Sequence, residues 1–200
     1  MADSLHSVRA VLVDVPESLL EERRQTGADV WDEVWEGVLH TVPAPSSRHQ
    51  RFGLRLAAAL LPVAEEHDLL ASYETGLYNP GAGDRDYRVP DLVFARPENV
   101  SDRGVEGRAE LVVEILSPGD ETYDKLDFYS EVGVQEVLVA DPESCGIELF
   151  SLGADRLHAV APDSSGSVSA NSVGVSFQTV DGPTLHLSWP GGATDIPGRA

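Results

Sequence analysis

Lysine is almost absent from this 200-residue chain: Lys125 stands alone beside thirteen arginines. Basic residues as a class are scarce, 14 against 34 acidic ones, and the net charge of −20 excludes a protein that grips nucleic acid through a general excess of positive charge. Any polyanion has to be met by a local basic patch. There is one cysteine, Cys145, so no intramolecular disulfide can form, and no Cys/His spacing of a structural zinc site surrounds it. That usage fits a reducing cytoplasm. Long apolar runs are missing too. The longest, Leu56 to Ala64, contains Pro62 and is less than half of the ~20 residues a membrane-spanning helix needs. Met1-Ala2-Asp3 opens no basic segment followed by an apolar one, so no secretory leader is expected. What is present, 42% apolar and 24% charged residues, is the composition of one globular domain, expected over 1–189 with a flexible tail at 190–200.

Local signals divide the chain. Pro16 before Glu17-Ser18-Leu19-Leu20, with Arg23 and Arg24 ahead of Gly27, predicts a short helix. Glu33-Val34-Trp35 and Val38 to Val42, on either side of Glu36-Gly37, predict a hairpin. Ser46 or Ser47 caps a longer helix in which His49, Phe52, Leu56, Leu60 and Val63 form an apolar stripe, and Pro62 should kink or shorten its last turns. Strands are predicted at 70–78, 87–95, 110–116, 136–140, 147–152, 157–161, 173–180 and 185–189. A helix at 123–132, ended by Gly133, interrupts them. This order predicts a mixed α/β domain: one central sheet flanked by helices, with additional C-terminal strands.

Two acids sit where acids are costly. Asp91 in Arg88-Val89-Pro90-Asp91-Leu92-Val93 and Glu114 in Leu111-Val112-Val113-Glu114-Ile115-Leu116 lie inside aliphatic runs, where a carboxylate needs a cation or hydrogen bonds. Strand alternation puts Glu114 on a face with Val112 and Leu116, and Asp91 with Val93. If the two strands pair antiparallel, the carboxylates converge and can offer oxygens to Mg²⁺. Lys125 follows, and a compact ammonium does chemistry that an arginine fork does not. The plain alternatives are a turn-closing aspartate, a solvated lysine, a half-buried core aromatic at Tyr129 and a satisfied histidine at His49. His6, His40, His67, His158 and His186 show no metal-ligand spacing.

Arg88-Val89-Pro90-Asp91, the run Val113 to Pro118, the spacing from Lys125 through Tyr129 to Gly133-Val134, and Glu136 through Asp141-Pro142 resemble the Uma-two family of bacterial restriction endonucleases, within the PD-(D/E)XK nuclease superfamily. Trp35 to Leu39 followed by His49 resembles that family's first hairpin and helix. The resemblance implies a restriction-endonuclease-like sheet, Asp91 and Glu114 as metal ligands with the Ile115 carbonyl, and Lys125 as the catalytic lysine. The superfamily's usual lysine position, two residues after the glutamate, holds Leu116, so the lysine function passes to the next helix.

The activity so implied is Mg²⁺-dependent hydrolysis of phosphodiester bonds, with Mn²⁺ as a substitute ion and DNA expected in preference to RNA. His49 and Tyr129 are candidates to support the ligands from behind. Arg48, Arg51, Arg55, Arg85 and Arg88 are candidates to contact phosphates. A homodimer would suit an enzyme that cuts two strands. The rival expectation is a non-catalytic acidic binding or regulatory module that keeps the nuclease fold and meets a basic partner.

Overall fold

The computed structural model describes residues 10–12, 15–119 and 121–198. Residues 1–9, with Met1 to Asp3 and His6 among them, residues 13–14, Asp120 and the last two residues lie outside them. The stretches 70–78 and 87–95, each expected as one strand, both break in the middle. Leu70–Tyr73 and Leu92–Ala95 pair antiparallel in a central sheet, whereas Leu77–Tyr78 and Tyr87–Arg88 pair antiparallel in a second one. The causes are local. Pro90 has no N–H to continue a ladder. Glu74 takes the left-handed conformation at φ +46°, which costs a non-glycine residue about 1–2 kcal/mol. Asp91 and Glu74 thus sit where the chain crosses between sheets, and the Glu74 N–H donates to the Asp91 carbonyl at 3.0 Å.

The central sheet orders its strands as 157–159, 147–152, 136–140, 111–115, 92–95 and 70–73. Among these only 111–115 and 136–140 run parallel, and the crossover between them carries helix α3 (Leu126–Val132), with Gly133 in the left-handed conformation at its end. Leu111-Val112-Val113-Glu114-Ile115 is buried at every position, as a strand covered on both faces must be. Leu111, Val113 and Ile115 share a core with Phe52, Leu56, Leu60 and Val63 of α2 (Ser47–Glu66), and with Phe177, Leu185 and Leu187 of a C-terminal sheet. Val112 faces the opposite core, with Val93, Val137, Phe128 and Tyr129. Helix α1 (Glu17–Thr26) closes on Gly27 in the left-handed conformation, as predicted.

Three expectations are corrected or extended. Helix α2 is not shortened by Pro62 but runs through it to Glu66. Pro62 and Ala58 are both exposed, so the carbonyl left without its N–H partner can turn to water. The flexible tail is also wrong. Gly192–Pro197 pairs along its whole length with Thr184–Trp189 and Ile196 is buried; Pro190-Gly191 forms the two-residue connection. Val168–Ala170, too short to read from pattern, is the other edge of that four-stranded sheet. Among the described residues no helix is long and apolar enough to cross a membrane.

Ile196→Ala tests the last strand. A buried isoleucine truncated to alanine should cost about 2–5 kcal/mol in urea-induced unfolding; a change within ~0.5 kcal/mol, as for a surface site, would return residues 190–198 to a tail.

Candidate active site

Asp91 lies one residue before the strand Leu92–Ala95. Leu92 pairs with Val113 and Val93 with Val112, so the same register continued by one step sets Asp91 opposite Glu114. Its Oδ2 accepts the Ile115 N–H at 2.6 Å. Lys125 ends a short helical turn, Thr122–Lys125, that leads into α3. Its Nζ lies 3.2 Å from Glu114 Oε1. The three residues singled out in the sequence therefore meet.

A further carboxylate, which the sequence reading missed, joins them. Glu33 begins the strand Glu33–Trp35 and is buried. Its Oε1 accepts from Lys125 Nζ at 2.8 Å and from the Val89 N–H at 2.9 Å, while Oε2 accepts the Trp35 indole N–H at 2.8 Å. Its only sequence signal is an acid at an inward-facing position of a short hairpin strand.

Two buried carboxylates thus share one ammonium. Burial favours the neutral amine of Lys125, but the charges of Glu114 and Glu33 outweigh it and hold the proton above the ordinary lysine range. Burial pushes the Glu114 carboxyl up to about 7; Lys125 opposes the shift, and Asp91 and Glu33 add to it. Tyr129, fully buried rather than half-buried as expected, donates its hydroxyl to Glu114 Oε1. Burial, then the Glu114 charge, keeps that phenol well above its usual value, so it remains a donor.

His49, in the first turn of α2, closes the other side. Ser46 Oγ accepts its backbone N–H at 3.2 Å, and its Nε2 lies 3.0 Å from the Ile115 carbonyl oxygen and 3.3 Å from Asp91 Oδ1. Burial lowers the imidazole pKa, but Asp91 and the carbonyl prevail and raise it overall. A cavity of about 330 Å³ opens over Glu33, His49, Glu74, Asp91, Glu114 and Lys125.

The arginines fare differently from the expectation. Arg88 is corrected as a phosphate contact: it is buried, its guanidinium packs 4.3 Å from the Trp35 ring centroid and 4.1 Å from that of Phe128, and it pairs with Asp86 at 3.0 Å. Cation–π contact and an ion pair explain a buried arginine as well as a substrate would. Arg85 belongs to the turn Gly83–Arg85, beside Gly37, and Arg51 and Arg55 project from the exposed side of α2. None of these lines the cavity. Arg48 borders an adjoining groove shared with His49 and Ser117, where it pairs with Glu143 at 3.5 Å.

Among the described residues no three His, Cys, Asp or Glu side chains form a ready metal cage. The donors that do converge, the carboxylates of Asp91 and Glu114 and the Ile115 carbonyl, are hard oxygens of the kind Mg²⁺ takes while keeping several waters. The crowding of negative charge that helps push Glu114 upward is what a divalent cation would offset. The residues fit such an ion.

Two outcomes are expected from unfolding measurements without divalent ions. Glu114 takes up a proton more readily folded than unfolded, so its contribution is complete below about pH 4.5 and is lost as pH rises through about 7; Glu114→Gln should flatten that part of the stability profile. Lys125→Met, which leaves Glu33 and Glu114 buried without their cation, should cost about 3–5 kcal/mol at pH 8 and less at pH 5. A loss equal at both pH values would contradict the shared-cation description.

No curated protein matches the chain. One solved structure, described as "a putative nuclease belonging to DUF820 from Anabaena variabilis ATCC 29413", aligns over 68% of this chain and 79% of its own, with a TM-score of 0.54 at 17% identity. At that identity the likeness is one of fold. A family model described as "Putative restriction endonuclease" matches residues 20–179, a span that begins in α1 and contains every residue of the site. With four-fifths of its length in that match, the chain belongs to the Uma2 family.

Proposed function

We propose that this protein is a divalent-metal-dependent nuclease that hydrolyses phosphodiester bonds, with Mg²⁺ as its ion, Mn²⁺ as a substitute, and DNA as the first substrate to test, given the family's description. The observation that carries the reading is the single lysine of the chain, clamped between buried Glu33 and Glu114 and one strand away from Asp91.

Asp91, Glu114 and the Ile115 carbonyl would hold the ion, which when bound supplies Lewis-acid polarisation of a phosphoryl oxygen and a more acidic water. The chain's own residues supply orientation. Lys125, kept charged, presents a compact ammonium to charge developing on a phosphate. Glu33, fixed by Val89 and Trp35, holds that ammonium in place. Tyr129 fixes Glu114, and His49 lies against Asp91 and the Ile115 carbonyl. The cavity wall adds two more acids, Glu74 and Glu121, and no arginine, so a polyanion needs accompanying cations to enter.

One observation favours the rival, a binding module that keeps the fold: with Arg88 buried and Arg48 paired, few cations remain to meet a nucleic-acid backbone on a chain of charge −20.

Incubation with single- and double-stranded DNA and RNA separates the two. The nuclease reading expects cleavage with Mg²⁺ or Mn²⁺, suppression by chelation, and a loss of at least about a hundredfold in Asp91→Asn and in Lys125→Arg, which keeps the charge but not the geometry. Mg²⁺ at a hundred times its dissociation constant should add about 2.7 kcal/mol of stability, a thermal shift of several degrees at about 2–4 °C per kcal/mol, and Asp91→Asn should abolish it. Neither cleavage nor shift would leave the binding module as the account of this fold.

A further inference from the structure

The outward side of α2 carries a pattern that the nuclease reading does not use. Opposite the buried stripe, Arg51, Leu54, Ala58, Leu61 and Glu65 follow one another at spacings of three, four, three and four residues, and all are exposed. Leu54 is 66% exposed and Leu61 47%. Such spacing is the seam of a helix pair, here on the side facing away from the helix's own core.

The charges on α2 are also reversed with respect to its dipole. A helix favours acids in its first turn and bases in its last. α2 has Arg48 in its first turn and Arg51 and Arg55 next, closes on Glu65 and Glu66, and has no acid in the first turn and no base in the last. Among the described residues neither Arg51 nor Glu65 makes an ion pair. Among the described residues only Arg48, through Glu143, has an ion-pair partner; the other charges of this arrangement have none.

We propose that a second copy of this chain docks on this face, α2 against α2, antiparallel about a two-fold axis at Ala58. Positions equally far from Ala58 then face each other. Arg51, seven residues before it, meets Glu65 of the partner subunit, seven residues after it. Leu54 packs beside the partner's Leu61, and the small Ala58 at the centre lets the backbones approach. The parallel arrangement is disfavoured, because it sets Arg51 against its own copy and Glu65 against its own. An isologous contact of this kind is self-complementary and closed. Each basic helix start also receives the partner's acidic helix end, which answers the reversed dipole. With one helix of ~30 Å from each copy, the interface lies at the small end of specific contacts, so the dimer forms and dissociates with concentration.

Sedimentation equilibrium of the full chain without metal or substrate tests this independently of the nuclease reading. Expected are a monomer–dimer equilibrium, monomers only in Leu54→Glu/Leu61→Glu, about tenfold weaker association in Arg51→Glu and in Glu65→Arg, and recovery in the double reversal Arg51→Glu/Glu65→Arg. Ala58→Cys should cross-link to itself on oxidation, while native Cys145 is buried. A wild-type chain monomeric at every concentration overturns the proposal, as does a dimer indifferent to Leu54 and Leu61. Failure of the double reversal to restore what each single reversal removed overturns the antiparallel seam.

Discussion

The one buried ammonium organises its surroundings because it has two anionic owners on different parts of the fold. Glu33 belongs to the hairpin sheet, Glu114 to the central sheet, and Lys125 to the turn that opens the crossover helix. Hydrophobic packing alone could slide these three pieces relative to one another at modest cost, because apolar contact is non-directional. Charge pairing at 2.8 and 3.2 Å cannot slide without stranding a charge in a low-dielectric interior. The arrangement is thus a lock on geometry more than a source of net stability.

The position of the lock follows from the backbone. Two neighbouring stretches leave the central sheet at the same level, one through the left-handed Glu74 and the other through Pro90. The crossing leaves the carboxylate of Asp91 off the ladder, free to take the Ile115 N–H. An irregularity in two strands therefore makes room for polar groups at a place where regular pairing would have filled it with aliphatic side chains.

Much of this was legible in the residues. Asp91 and Glu114 stood out because each interrupts an aliphatic run, and Lys125 because it has no companions of its type. Glu33 did not, since a three-residue strand beside Asp32 and Glu36 gives no contrast by which to notice it. Arg88 was misread because its partners, Trp35 and Phe128, are remote in sequence and only the fold stacks them around it. The last strand hid for another reason. Gly, Pro and Asp dominate 190–197, and propensity there reads as coil; burial of Ile196 against the C-terminal sheet overrides it.

Trp35 occupies a singular place in the site's support. Its ring stacks on His40 with centroids 4.2 Å apart, Arg88 covers it, and its indole N–H holds Glu33. Trp31 lines the cavity itself and Trp35 stands behind Glu33, so two of the three tryptophans belong to the site, while Trp189 packs with the C-terminal sheet. The chain consequently carries a native fluorophore hydrogen-bonded to one of the two carboxylates that hold Lys125, and its ultraviolet emission is an optical window on whatever enters the cleft, with no label attached.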